Sequence, residues 1–119
     1  GDGNASRDYI HVEDLCDGIK ATLDAPLLGG DVIHLASGRE TTVLDLANIL
    51  RNVAGKPNHP IEIKPMRRGE VTRNFADYSK ANTTLGFKPK WNIEDGLAAT
   101  YEWFISQGDE VLGVETTDS

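Results

Sequence analysis

Ser6-Arg7-Asp8-Tyr9-Ile10-His11-Val12-Glu13-Asp14 carries the chain from a charged segment through an extended run straight into an amphipathic helix. A guanidinium and a carboxylate are costly to desolvate unless each finds a partner, so Arg7 and Asp8, just ahead of a strand-to-helix junction, mark a candidate site. Before them, Gly1 to Ala5 is turn material. Arg7 to Val12 reads as extended, with Tyr9 and His11 on one face and Asp8, Ile10 and Val12 on the other. From Val12 the period turns helical. Val12, Leu15 or Cys16, Ile19 and Leu23 form one stripe, Glu13, Asp14 and Asp17 suit the helix dipole, and Pro26 ends the element.

Further along, Gly29-Gly30 predicts a turn and Asp31 to Leu35 a short apolar strand broken at Gly38. Thr42 followed by Asp45 approximates a capping box. Val43, Leu46, Ala47, Leu50 and Val53 then make the stripe of a second helix, which Gly55 and Pro57 stop. Ile61 to Lys64 alternates like an edge strand between Pro60 and Pro65, and Met66 to Asn74 reads as a polar, basic surface loop. A short helix is expected over Ser79 to Leu85 with Gly86 as its stop. A last helix is capped by Asn92 and carries Ile93, Leu97, Tyr101, Phe104 and Ile105 toward Gly108. The acidic stretch 109–119 has three large apolar residues and is expected to be a disordered tail. Strands alternating with helices indicate an α/β domain, although three short strands make a poor sheet by themselves.

At 119 residues the chain has room for one domain, here residues 1–108 plus the tail. Its formal charge of −7 argues against nucleic acid or an anionic membrane as partner, since both need a basic face. No apolar run approaches the ~18 residues that span a bilayer. The lone Cys16 has no disulfide partner in the chain, and its helical position predicts a buried, reduced thiol in a cytoplasmic protein. His11, His34 and His59 lack the spacing of a metal site.

Four stretches also resemble, in order, the nucleotide-sugar epimerases and dehydratases, the extended branch of the short-chain dehydrogenase/reductase superfamily. The opening run is similar to that family's Arg-Asp-Tyr/Phe-(Ile/Val)-His-Val-x-Asp signature. Arg67-Arg68-Gly69-Glu70 is similar to its Arg-x-Gly-Asp/Glu element. Ala76-Asp77 through Gly86-Phe87 follows its Ala-Asp-x-Ser-Lys-Ala...Leu-Gly-Phe/Trp element, and Trp91 to Gly96 its entry to the last helix. Val32 to Ser37 fits between them. The likeness runs to about Phe104, and four ordered motifs make it specific where one alone is weak. Within the family the chain looks most like the UDP-glucose 4-epimerases.

The resemblance implies the C-terminal substrate-binding lobe of such an enzyme, with an edge strand (Val32 to Leu35) and helices left over from a Rossmann sheet. It implies a cytoplasmic, homodimeric parent that binds NAD and inverts C4 of a UDP-sugar through a 4-keto intermediate. The family's NAD-binding Gly-x-x-Gly-x-x-Gly turn and proton-transferring Tyr-x-x-x-Lys are absent: Tyr9, Tyr78 and Tyr101 lead to Glu13, Asn82 and Ile105. No catalytic, cofactor-binding or metal residue is therefore expected here, nor redox activity from the chain alone. The substrate-binding assignment is to Arg7 and Arg67 for the diphosphate, Glu70 for the ribose and Tyr9 as a lining ring. Glu70 is one methylene longer than the commoner Asp.

Arginine suits a diphosphate because its fork matches phosphate oxygens in shape and charge. The competing reading is a solvated loop, with Arg7 paired to Asp8 or Asp14 for about 0–1 kcal/mol; the motifs favour the site reading for Arg7 and Arg67, and leave Arg68 and Arg73 even. Asp14 either orients the helix start or fixes the basic loop. Trp91, Trp103 and Phe104 are candidates for stacking on a base, with packing favoured for the last two. A dehydratase or decarboxylase, a non-catalytic sugar-nucleotide-binding module and a ligand-free interaction domain stand as alternatives. Exposed sheet edges predict self-association of the chain.

Overall fold

Thr42 and Asn92 open helices as their sequence context predicts, each side-chain oxygen accepting the backbone N–H three residues on, from Asp45 at 3.0 Å and Asp95 at 2.7 Å. The computed structural model describes residues 1–26 and 29–108. Their elements are β1 (Ser6–Asp8), α1 (Val12–Asp24), β2 (Glu40–Thr42), α2 (Val43–Val53), β3 (Arg73–Asn74), α3 (Ser79–Leu85) and α4 (Ile93–Gln107). The α/β class and the helices thus follow the sequence, with Gly86 closing α3 at φ 69°, the left-handed conformation that glycine adopts without strain. The expectation for 109–119 lies outside the described residues.

The sheet has the order β2-β1-β3, with β2 antiparallel to β1 and β3 parallel to it. Its strands are not those the sequence predicts. Asp31 to Leu35 and Ile61 to Lys64 form no ladder among the described residues, and the extended run of Arg7 to Val12 narrows to Ser6–Asp8. β3 lies at the end of the expected Met66 to Asn74 loop, and β2 lies in what reads as a turn. The physical reason is that alternation marks a segment able to pair, whereas a strand exists only where another backbone meets its N–H and C=O groups.

Long-range backbone acceptors complete the frame. Val43 and Leu44, in the first turn of α2, donate to the carbonyls of Ala5 and Gly3 at 2.8 and 2.9 Å, fixing the chain ahead of β1. Among the described residues Ala5, Ala36, Ala81, Phe87 and Ile93 are the buried apolar ones, so the core is small, and the elements pack most extensively where β1 meets β2 and α2 meets α4. Gly18 lets α1 approach the 31–37 segment: a Cβ there would stand 2.7 Å from both Leu35 methyls.

Cys16 is exposed rather than buried, which corrects the inward placement. The rest of its stripe turns outward with it, Val12 being 63%, Ile19 52% and Leu23 79% exposed. Helical periodicity fixes which residues share a face and not what covers that face.

Candidate functional site

Asp8 and Asp14, the two carboxylates of the opening signature, both hold backbone. Asp8 accepts the Ser37 N–H at 2.9 Å, the Ser37 hydroxyl at 2.6 Å and the Gly38 N–H at 2.9 Å. Gly38 suits that turn, with φ at 76° and the Tyr78 ring so close that a Cβ would meet it at 2.8 Å. Asp14, buried in the first turn of α1, accepts the N–H groups of Lys90 and Trp91 at 2.9 and 3.0 Å. It therefore anchors the entry to α4 rather than the basic loop. His11 caps α1 by accepting the Glu13 N–H at 3.1 Å and stacks on Trp91 at 4.2 Å between centroids. Trp91 thus has a protein partner for its ring, and its Nε1 donates to Glu13 at 3.2 Å. Trp103 and Phe104 meet edge to face, both still substantially exposed.

Arg7 lies on β1, half-buried, its Nη1 donating to the Ser6 carbonyl at 2.7 Å. It lines a cleft of about 160 Å³ with Asp8, Leu35, Asn74 and Phe75. Tyr9 faces elsewhere. It lines an apolar cavity of about 690 Å³ beside Trp91 and α4, and a second cleft of about 320 Å³ with Ser37, Arg39 and Lys90. Arg67 and Glu70 share one turn, closed by the Glu70 N–H on the Arg67 carbonyl at 3.2 Å and by the Arg67 N–H on the Glu70 carboxylate at 3.3 Å, with Gly69 at φ 82°. Glu70 lies near Gly1 and lines a small pocket with Ile61. The fold therefore joins Arg67 to Glu70, but sets Arg7 and Tyr9 in separate clefts. Arg7 meets the basic segment through Asn74, its register partner on β3.

The remaining arginines near the sheet are occupied. Arg73 gives Nε and Nη2 to the two oxygens of Glu40 at 2.7 and 2.8 Å and sits 4.6 Å from the Phe75 ring centroid. The Ser6 hydroxyl donates to the same carboxylate. The Arg73 fork, with Ser6 second, holds the Glu40 carboxyl down to about 2. Arg39 forks onto Glu94 with both contacts at 3.0 Å, which lowers that carboxyl as well. Among the described residues the guanidinium groups of Arg7 and Arg67 have no carboxylate partner, nor do those of Arg51 and Arg68. Glu40 is the residue that sequence reasoning missed. Its only signal is a charge opposite to that of Arg73, 33 positions away.

Comparison with known proteins gives this geometry its context. Residues 1–100 match the family described as GDP-mannose 4,6 dehydratase. A dTDP-glucose 4,6-dehydratase of Actinoplanes sp. is 38% identical over 87% of this chain and 32% of its own length. The crystal structure of a UDP-glucose 4-epimerase from Thermotoga maritima, with UDP-glucose, superposes with a TM-score of 0.82 at 34% identity, over 90% of this chain and 34% of that one. A UDP-glucose 4-epimerase from Bifidobacterium longum, solved with NAD+ and UDP, gives 0.80 at 38% identity over 88% and 31%. The chain spans about a third of the length of the relatives it matches. It corresponds to the C-terminal part of the extended short-chain dehydrogenase/reductase fold.

Proposed function

The chain belongs to the GDP-mannose 4,6-dehydratase family, whose relatives here are nucleotide-sugar epimerases and dehydratases, and from that premise we propose that it holds the nucleotide diphosphate of a UDP-sugar in a C4 epimerase. Arg7 and Arg67 are the diphosphate ligands and Glu70 takes the ribose hydroxyls, while Tyr9 lines clefts of its own beside Trp91 and Lys90. The observation that carries this reading is the distribution of charge partners. In a chain of net charge −7, Arg73 and Arg39 are each claimed by a carboxylate, while among the described residues the guanidinium groups of Arg7, Arg51, Arg67 and Arg68 have none; of these four, Arg7 and Arg67 stand at the family's motif positions. A diphosphate supplies the missing anion, and a guanidinium fork binds it through two directed hydrogen bonds.

The residues present do not fit a dinucleotide, since neither a Gly-x-x-Gly-x-x-Gly turn nor a Tyr-x-x-x-Lys occurs in the chain. The chain's share of the reaction is therefore grip and orientation: fixing the diphosphate leaves the sugar able to turn about its link to phosphate, which an inversion at C4 requires. A nucleotide-sugar dehydratase is the second reading, favoured by the Actinoplanes relative. It shares the diphosphate grip and differs in product.

Calorimetric titration of UDP into the intact gene product tests the assignment. Arg7→Ala and Arg67→Ala should each weaken binding tenfold or more, about 1.4 kcal/mol per decade. Equal affinity in both variants overturns it. Incubation with UDP-glucose then separates the readings, since an epimerase returns the C4 epimer and a dehydratase a 4-keto-6-deoxy sugar.

A further inference from the structure

Glu40 stands on one outer strand of the sheet, yet its carboxylate reaches past the central strand to a residue of the other. Glu40 pairs in register with Asp8, and Arg73 with Ser6, so Ser6, Glu40 and Arg73 share one face. Both carboxylate oxygens are used: one receives Arg73 Nε and the Ser6 hydroxyl, the other Arg73 Nη2. The stack on Phe75 fixes the guanidinium from the side. Sequence leaves Arg73 an even candidate for the anion. The geometry uses its fork inside the fold.

β3 needs that support. It is two residues long and exposed, and its ladder to β1 is extended only by the Ser6 N–H on the Thr72 carbonyl at 2.9 Å. Immediately ahead of it comes the turn of Arg67 and Glu70, whose own closing bonds are local. The position of Arg67 relative to Arg7 on β1 thus depends on what ties β3 to the sheet, together with the contacts of Met66 and Glu70 beside Gly1.

We propose that Glu40, acting through Arg73, is a positioning residue for nucleotide-diphosphate binding: the strut from β2 to β3 steadies the segment that carries the Arg67 turn relative to Arg7 on β1. This rests on the reading of Arg7 and Arg67 given above. With the strut in place the turn is ordered before the ligand arrives; without it, the ordering cost falls on binding. Arg73 is largely exposed and Glu40 only partly covered, so the pair's contribution to global stability is modest and its loss is read chiefly in affinity.

The test measures UDP affinity and amide hydrogen exchange at residues 67–72 in the intact gene product, for Glu40→Gln, Arg73→Gln and their combination. Each single variant is expected to weaken UDP about tenfold and to speed exchange in that segment, with the thermal midpoint nearly unchanged. The combination should be no weaker than either single, because both remove the same strut. Arg73→Lys, which keeps the charge and the fold but loses the fork, should weaken UDP several-fold. If Arg73 is itself a phosphate ligand, Glu40 is its competitor, and Glu40→Gln tightens UDP; that result overturns the proposal. Unchanged exchange at 67–72 also overturns it, whatever Arg67→Ala does. Faster exchange with unchanged UDP affinity in the Glu40, Arg73 and Arg67→Ala variants alike shows a strut without a nucleotide site, and places the failure in the reading of Arg7 and Arg67.

Discussion

At the residue scale, Asp14 is 2% exposed with no cation bonded to it, and what stabilises it is a pair of backbone N–H groups from the entry to α4. Removing the carboxylate leaves two donors without acceptors in a site too closed for water to replace them. Asp14→Ala is therefore expected to destabilise the fold by about 2 kcal/mol, seen as a lower urea midpoint with an unchanged slope. Asp14→Asn should recover only part, because its amide nitrogen presents a donor to a donor. A change within a few tenths of wild type would contradict this account. Such roles are hard to read from sequence because the acceptor and its donors lie 76 and 77 positions apart. Separation along the chain likewise hides Asp8 on Ser37 and Gly38, 29 and 30 positions on, and His11 on Trp91. The caps at Thr42 and Asn92 were legible because donor and acceptor lie within one turn.

At the element scale the same division holds. α2 and α4 are written in local signals, a cap, a period and a stop, and α3 in its stop at Gly86, and they form where those signals stand. The strands depend on partners, so β2 and β3 arise in a turn and a loop, while the alternating Ile61 to Lys64 forms no ladder. Across the sheet the Glu40 and Arg73 pair makes a prediction about pH. The Glu40 carboxyl falls from its ordinary 4.5 to about 2, chiefly through the Arg73 hydrogen bonds and next through Ser6. A lowered carboxylate contributes stability that is complete above its unfolded value and lost as pH falls through the folded one. The pair's contribution to stability should thus be complete just above 4.5 and decline as pH falls from 4.5 toward about 2, the pair itself opening only near about 2. An NMR titration of the Glu40 side chain should show a midpoint near 2 that moves up toward 4.5 in Arg73→Gln. A midpoint near the ordinary value in the wild type would mean that the fork is not populated in solution.

At the scale of the whole molecule the apolar surface is unevenly placed. Val12, Ile19 and Leu23 recur on one side of α1 with the exposed Cys16 among them, and Trp103, Phe104 and Ile105 are exposed toward the end of α4. A single exposed leucine is ordinary, but a run at helical spacing over the length of α1 is a contiguous apolar face whose association can be measured. The sequence expectation was association through open sheet edges. Exposed apolar residues lie on these helices and also off them, Val71 and Phe75 flanking β3 and Val32, Ile63 and Met66 on loops, so the helix face and the sheet edge call for different mutations. In the isolated 119-residue chain, sedimentation velocity should show a mass that rises with concentration, and Cys16 should label more slowly as the chain is concentrated. Ile19→Glu places a charge in the middle of the stripe, where burial against another apolar face would carry the full desolvation cost. Because Ile19 is half-exposed within its own chain, the substitution should leave helix content unchanged while returning the sedimenting species to monomer mass. An association that persists in Ile19→Glu, and that weakens only when charge is added to the edge strand β2, restores the sheet edge as the contact. A chain that stays monomeric at all concentrations shows that neither surface drives pairing, and that α1 tolerates its apolar face in water.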